Sequence, residues 1–560
     1  MRTVDQLTLK EKIGQLLMVG FEGVTATEEI SKLLQEHHAG GVIYFIRNIE
    51  STEQVFALTQ ELQMIATDAT GIPLWIAVDQ EGGMVARLRE GISYLPAAMA
   101  LGAAHNPELL YEAAKGVAEE LRAIGINMNF APVVDVNINP RNPIIDVRSF
   151  GDDPQRVSEL GIAAMRGFQD GGIVSVIKHF PGHGDTESDS HWELPVVNQP
   201  LERIRQVELV PFRQAALAGA EAVMSAHVGI PALSKGERVP ATLSYPILTG
   251  VLREEFGFGG LIVTDCMEME AVSKDIGVPE AVIRAVEAGA DIMLVSHTHE
   301  VQLAVIQALE DAVRSGRIPE ARIDSSVRRI LELKQEKAGS IETTSWEDTR
   351  IRLENPQTLD ALKRLRKGSI TVVNHEPDHC TLSPHKSTLV LWPEITQASH
   401  SEDVLSQHVS LGCYVKPFIQ NEFTEHVYKT NPAREEIEGF AAEAADYDQV
   451  VIGIFHANYN PGQLELVNEV LAVRPDAIAV SLRNPVDLAA WPHLKGFVAC
   501  YEGHPHTLQA VSELLLGRLE PAGRLPVTIP YSHSGGEHSN AYERESEQEL
   551  QATAGINPAS

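Results

Sequence analysis

Short apolar runs recur through the first 300 residues, and each is followed by a longer stretch of helical character. The runs are MVGF (18–21), GGVIYF (40–45), LWIAVD (74–79), NMNFAPVVDV (127–136), SVIKHF (175–180), AVMSAHV (222–228), LIVTDC (261–266) and DIMLVS (291–296). Runs of this length between turn signals read as buried strands, and intervening stretches such as 107–123 and 155–170 read as helices. Eight such units predict an α/β chain whose residues 1–337 form a (β/α)8 TIM-type barrel. Residues 301–336, ending in the charged ILELKQEKAG, are expected as its last two helices.

Residues 338–368 open on a segment without a sustained apolar period and are expected as a linker. The alternation then resumes with SITVVN, STLVLW, QVVIGIF, AIAVSL, GFVACY and LPVTIP, which predict a C-terminal α/β/α sandwich domain over 369–531. No GxGxxG follows the first of these runs, so no dinucleotide site is expected there. Residues 532–560 are polar and nearly free of large apolar side chains, the composition of a mobile tail.

The polar residues are placed in a way that matters for chemistry. Asp79, Asp135, Lys178, His179, His227, Asp265 and His297 all stand at or just beyond the C-terminal end of an apolar run. In a (β/α)8 barrel those ends converge on the face where catalytic groups gather. A single residue there has a plainer explanation, since chains turn polar wherever strands end. Seven over six successive runs are harder to explain that way.

Composition narrows the partners. The 560 residues carry a formal net charge of -32 with no dense Lys/Arg patch, which disfavours phosphate backbones and anionic lipid surfaces, so neither nucleic acid nor membrane is expected as a partner. No run of about 18 apolar residues occurs. The opening segment MRTVDQLTLKEKIGQLLMVGF lacks a basic stretch leading into an uninterrupted apolar one. The cysteines, Cys266, Cys380, Cys413 and Cys500, are widely spaced and form no CxxC pair. A cytoplasmic protein is the expectation.

The densest chemical cluster is KHFPGHGDTESDSH (178–191), directly after a candidate strand. His183, Asp185, Asp189 and His191 are possible metal ligands, but the spacing is not that of a helical HExxH site, and no metal or cofactor is expected. In the acid–base reading, Asp189 fixes the tautomer of His191 and supports its protonated form, leaving the other ring nitrogen to exchange a proton with substrate. A solvated loop with incidental histidines remains the bland alternative. Asp265, in LIVTDCMEM, ends an apolar run and so belongs at a strand's mouth, where a carboxylate can attack an anomeric carbon. It can equally cap the helix that follows. Cys266 is a rival nucleophile, but strand alternation turns it away from the face that Asp265 occupies.

Six segments carry a more specific resemblance: DQEGGMVARL (79–88), LPAAMALGA (95–103), NFAPVVDV (129–136), RSFGDDP (148–154), KHFPGHGDTESDSH (178–191) and LIVTDCMEM (261–269). In this order the chain resembles the N-terminal barrel of glycoside hydrolase family 3, and within it the bacterial β-N-acetylglucosaminidases of cell-wall recycling. PAGRLPVTIP (521–530) is similar to the end of that family's second domain. The resemblance implies a retaining hydrolase of terminal non-reducing β-linked N-acetylglucosamine, acting on muropeptides or chitooligosaccharides. It places the nucleophile on Asp265, the acid/base on His191 with Asp189 as its dyad partner, and sugar contacts on Asp79, Arg87, Arg148, Lys178 and His179. Met84 departs from the family, which often has Arg there, and puts an outer contact in doubt. A phosphorylase, a β-glucosidase or xylosidase of the same family, and a catalytically silent carbohydrate-binding protein stay open as alternatives.

Overall fold

A computed structural model describes residues 2–187, 193–339, 344–373, 377–397, 402 and 409–530. The first domain is a closed barrel of parallel strands. In chain order they are β1 (Leu17–Val19), β2 (Gly41–Tyr44), β3 (Trp75–Val78), β4 (Met128–Asn129), β5 (Val174–Phe180), β6 (Ala222–Ser225), β7 (Leu261–Cys266) and β8 (Ile292–Val295). Each pairs with its sequence neighbours, and β1 closes on β8 with Leu17 opposite Met293. All eight coincide with the predicted apolar runs, and the (β/α)8 expectation holds.

The surrounding helices start where local chemistry directs. Pro107–Ala123 and Pro154–Asp170 both begin on proline, whose missing N–H costs nothing in a first turn. The side chains of Asn106 and Asp153 accept from Leu109 N and Arg156 N, capping donors that the helix leaves unpaired. His299–Arg314 and Glu320–Lys337 are the two expected final helices.

The segment expected as a linker contains two further helices, Trp346–Arg350 and Pro356–Ser369. The second buries Thr358, Ala361, Leu362 and Leu365, a spacing of three, four and seven that forms one helical face. It therefore packs as part of the body rather than spanning a gap.

The C-terminal domain holds a sheet of β9 (Thr371–Val373), β10 (Thr388–Pro393), β11 (Phe423–Tyr428), β12 (Gln449–Ile454), β13 (Ile478–Ser481) and β14 (Gly496–Ala499). Its spatial order is β9-β14-β13-β12-β10-β11, parallel except where β9 runs antiparallel to β14. Alternate residues feed two cores, one holding Leu389, Ile452 and Phe497 and the other Val390, Val451 and Val498. Both faces are therefore covered, as a parallel sheet requires.

Two expectations differ here. LPVTIP is no strand: its backbone lies along the barrel domain, with Asp152 N donating to Pro526 O at 3.1 Å and Thr528 N donating to the Asp152 carboxylate at 2.6 Å. β11, by contrast, was not expected. It is an edge strand, mostly half-exposed, and its sequence FTEHVY carries polar residues where an interior strand is apolar. The predicted tail at 532–560 lies outside the described residues. Among the described residues no helix is long and apolar enough to cross a membrane.

Candidate active site

A cavity of about 530 Å³ opens at the C-terminal ends of the barrel strands. Asp79, Arg87, Arg148, Lys178, His179 and Asp265 all line it, so the structure gathers in one place six residues drawn from distant parts of the sequence. Asp189 and His191 lie outside the described residues. Phe130, Met224 and Leu294 supply apolar wall, and Glu402 reaches the cavity from the second domain.

Its electrostatic centre is a residue that the sequence reasoning passed over. Glu81, two positions after Asp79, accepts from Arg148 Nε at 2.9 Å and from Arg148 Nη2 at 2.8 Å, and pairs with Lys178 Nζ at 2.6 Å. Lys178 also donates to Asp79 at 2.7 Å, and Arg87 stands 3.6 Å from the same carboxylate. Burial raises the Glu81 carboxyl's pKa, but the two cations outweigh it and hold the group well below its ordinary value. Lys178 has three N–H donors; Asp79 and Glu81 take two, which leaves one for a ligand among the described residues. The only signal in the sequence was a carboxylate one residue short of a double glycine.

Those glycines place it. Gln80–Gly82 and Val85–Ala86 form a small antiparallel hairpin, and Gly82 and Gly83 at its turn have φ of +115° and +53°. A Cβ on Gly82 would stand 2.6 Å from Leu95 O and Pro96 O, so only glycine fits. Met84 is buried behind this hairpin and is not among the residues lining the cavity.

Lys178 and His179 are adjacent in β5 yet both line the cavity. Between Ile177 and Phe180 the strand advances three residues while β6 advances two, and such a bulge re-aims consecutive side chains. Below them lies Asp135, completely buried, which accepts from His179 Nδ1 at 2.7 Å and from the backbone N–H of His183 at 2.7 Å. Arg148 Nη2 donates to His179 Nε2 at 3.3 Å, fixing the Nδ1–H tautomer of that ring. Asp135 thus orients the site without lining it.

Other candidates take lesser places. His227 is buried, its ring bonded to Thr242 Oγ1 and to Cys266 O, both at 2.9 Å. His297 is exposed at the rim, 3.5 Å from Arg47. His183 lines the cavity, and burial pushes its imidazole down to about 4, which leaves it neutral at pH 7. Asp185 accepts from Gln199 at 2.8 Å. Among the described residues no group of three or more His, Cys, Asp or Glu is placed to hold a metal ion. Asp265 is partly exposed at the end of β7, its Oδ1 accepting from Cys266 N at 2.7 Å. Cys266 itself is buried against Ser296 Oγ, and burial pushes its thiol up to about 12. That excludes a thiolate at neutral pH.

Glu81→Gln is expected to cost about 3 kcal/mol of stability, because it leaves Arg148 and Lys178 buried together without their shared anion. Chemical denaturation measures the loss. The Glu81 pKa is depressed on folding, so its contribution is complete above the ordinary carboxylate value of 4.5 and is lost as pH falls below it. The gap between wild type and variant should narrow in that direction. A variant as stable as wild type at pH 7 would contradict the network.

Known proteins match both halves of the chain. The Glycosyl hydrolase family 3 N terminal domain matches residues 8–333, and the C-terminal domain of the same family matches residues 298–554. Beta-hexosaminidase A of Pseudoalteromonas piscicida is 31% identical over 585 residues, covering 93% of this chain and 97% of that protein. A beta-hexosaminidase of Mycobacterium tuberculosis is 36% identical over 335 residues, 59% of this chain and 83% of its own. Among solved structures, a glycoside hydrolase family 3 beta-N-acetylglucosaminidase from Paenibacillus sp. superposes with a TM-score of 0.87 at 45% identity, covering 94% of this chain and all of the other.

Proposed function

Because the chain belongs to glycosyl hydrolase family 3, we propose that it is a retaining β-N-acetylglucosaminidase in which Asp265 attacks the anomeric carbon and His191 protonates the departing oxygen. It is a glycoside hydrolase, and the β-hexosaminidases similar to it support N-acetylglucosaminides as substrates. One observation carries the chemical reading: a partly exposed carboxylate, Asp265, shares one cavity with a fixed set of sugar-sized donors and acceptors.

In the first step the Asp265 carboxylate bonds to the anomeric carbon while the bond from that carbon to the aglycone oxygen breaks. His191 gives that oxygen a proton. In the second, His191 takes a proton from water as the water oxygen displaces Asp265, so the product regains the starting configuration. Asp189 holds the imidazole and favours its charged form. Asp79 accepts from sugar hydroxyls, the remaining proton on Lys178 donates, and the Arg148 guanidinium lines the sugar's place beside them. Their salt bridges keep these groups in place before substrate arrives, so little reorganisation is needed in the transition state.

Muropeptides or chitooligosaccharides are the proposed natural substrates and the cytoplasm the proposed location, with four free thiols supporting a reducing compartment. An aryl β-N-acetylglucosaminide compared with the matching aryl β-glucoside tests the substrate class. The N-acetyl sugar should be favoured by at least about 10²-fold in kcat/KM, since a site that bonds a polar substituent rejects the analogue that lacks it. Equal rates, or a preference for the glucoside, would overturn it.

A further inference from the structure

We infer that Arg483 of the second domain is a positioning residue for the barrel's sugar cavity, acting through Asp146 on Arg148. The inference rests on the reading of Arg148 as a sugar contact.

Asp146 has a left-handed backbone, φ +42°, a region that residues with a Cβ seldom occupy. Its carboxylate is buried and is gripped from the other domain: Arg483 Nε donates at 2.5 Å and Asn484 Nδ2 at 2.7 Å. Arg483 is itself fully buried, and its Nη2 donates to Glu402, which lines the cavity. Asp146 opens a single 3-10 turn that ends at Arg148. Within it Arg148 N donates to Ile145 O at 2.7 Å, and Ser149 N donates to Asp146 O at 3.2 Å. One such turn advances only about 2 Å per residue and has no slack, so the position of Asp146 is passed on to Arg148.

Adhesion between the domains does not require this arrangement. Met99 and Val147 of the barrel already share an apolar cluster with Leu488 and Val527 of the second domain. A buried ion triad brings a large desolvation cost, and well-packed apolar residues often hold such a contact as strongly. What the triad adds is direction. Two donors in fixed geometry hold an acceptor that would otherwise relax out of its left-handed backbone, and they hold it two residues from the guanidinium that faces the sugar.

The test uses the full-length chain with Arg483→Met and Asp146→Asn, singly and combined. Two quantities are read in each: kcat and KM on an aryl β-N-acetylglucosaminide, and hydrogen exchange over residues 144–150. Each single variant should raise KM by about 10-fold with a much smaller change in kcat, and should speed exchange at the Arg148 and Ser149 amides. The combined variant should be no worse than the poorer single one, because both changes remove the same strut. Arg483→Lys keeps the charge balance but loses the planar fork; it replaces Arg483→Met if the latter does not fold, and the same effects are expected in weaker form. A folded variant with either KM or exchange unchanged overturns the inference, as do KM effects that multiply in the combined variant. If wild type does not cleave N-acetylglucosaminides, the substrate reading fails, and exchange alone decides whether Arg483 holds the turn.

Discussion

Asp265→Asn is expected to lower kcat by at least about 10³-fold while leaving the fold intact. The amide is nearly the same size, and its carbonyl oxygen can still accept from Cys266 N, the bond that Asp265 Oδ1 makes at 2.7 Å. The position is partly exposed, so the change of one oxygen for an N–H₂ group is not made in the core. What is lost is the carboxylate that, in the proposed mechanism, attacks the anomeric carbon. The adjacent Cys266 is no substitute, because its buried thiol, pushed up to about 12, stays protonated at neutral pH. Steady-state rates and a denaturation curve on the same preparation check both halves. A variant that keeps more than a few per cent of wild-type turnover places the nucleophile elsewhere.

His191→Ala is expected to separate substrates by their leaving groups. A general acid typically contributes about 10²–10⁴-fold, and only an aglycone that leaves poorly needs its proton. A disaccharide should therefore slow by at least about 10²-fold, whereas a dinitrophenyl β-N-acetylglucosaminide should slow far less in its first step. Asp189→Ala should give a milder form of the same pattern, since the role proposed for that carboxylate is to support the imidazole and not to contact the sugar. Single-turnover measurement of glycosylation isolates the step. Equal slowing of both substrates would mean that His191 positions the sugar or shapes the loop.

Much of this architecture was legible in the chain. The barrel strands are buried on both sides and so appear as plain apolar runs, and on six of the eight a polar residue at or just beyond the end of the run marks where the strands converge. That is why Asp79, Lys178, His179 and Asp265, which line the cavity, are visible in the sequence. Glu81 was not, because its importance comes from two cations 67 and 97 positions further on, brought together by the closing of the barrel. β11 was hidden by its edge position, where polar side chains are tolerated. The segment LPVTIP misled in the opposite sense: it is extended and apolar because it lies against the barrel domain, not because it joins a sheet. The helix Pro356–Ser369 had a readable apolar face, obscured by the aperiodic stretch before it. The contact from Arg483 to Asp146 joins residues 337 positions apart, a distance over which local pattern carries no information.

In the proposed mechanism the sugar passes through a covalent bond to Asp265. The direct test is to mix wild-type protein with excess dinitrophenyl β-N-acetylglucosaminide, quench in acid during turnover, and measure the mass of the intact chain and of its proteolytic peptides. One N-acetylglucosaminyl group per chain is expected, confined to the peptide that contains Asp265 and absent from the Asp265→Asn variant. Sugar bound to any other residue, or turnover with no protein-bound sugar at any quench time while a burst of dinitrophenol shows that the second step is limiting, would contradict it.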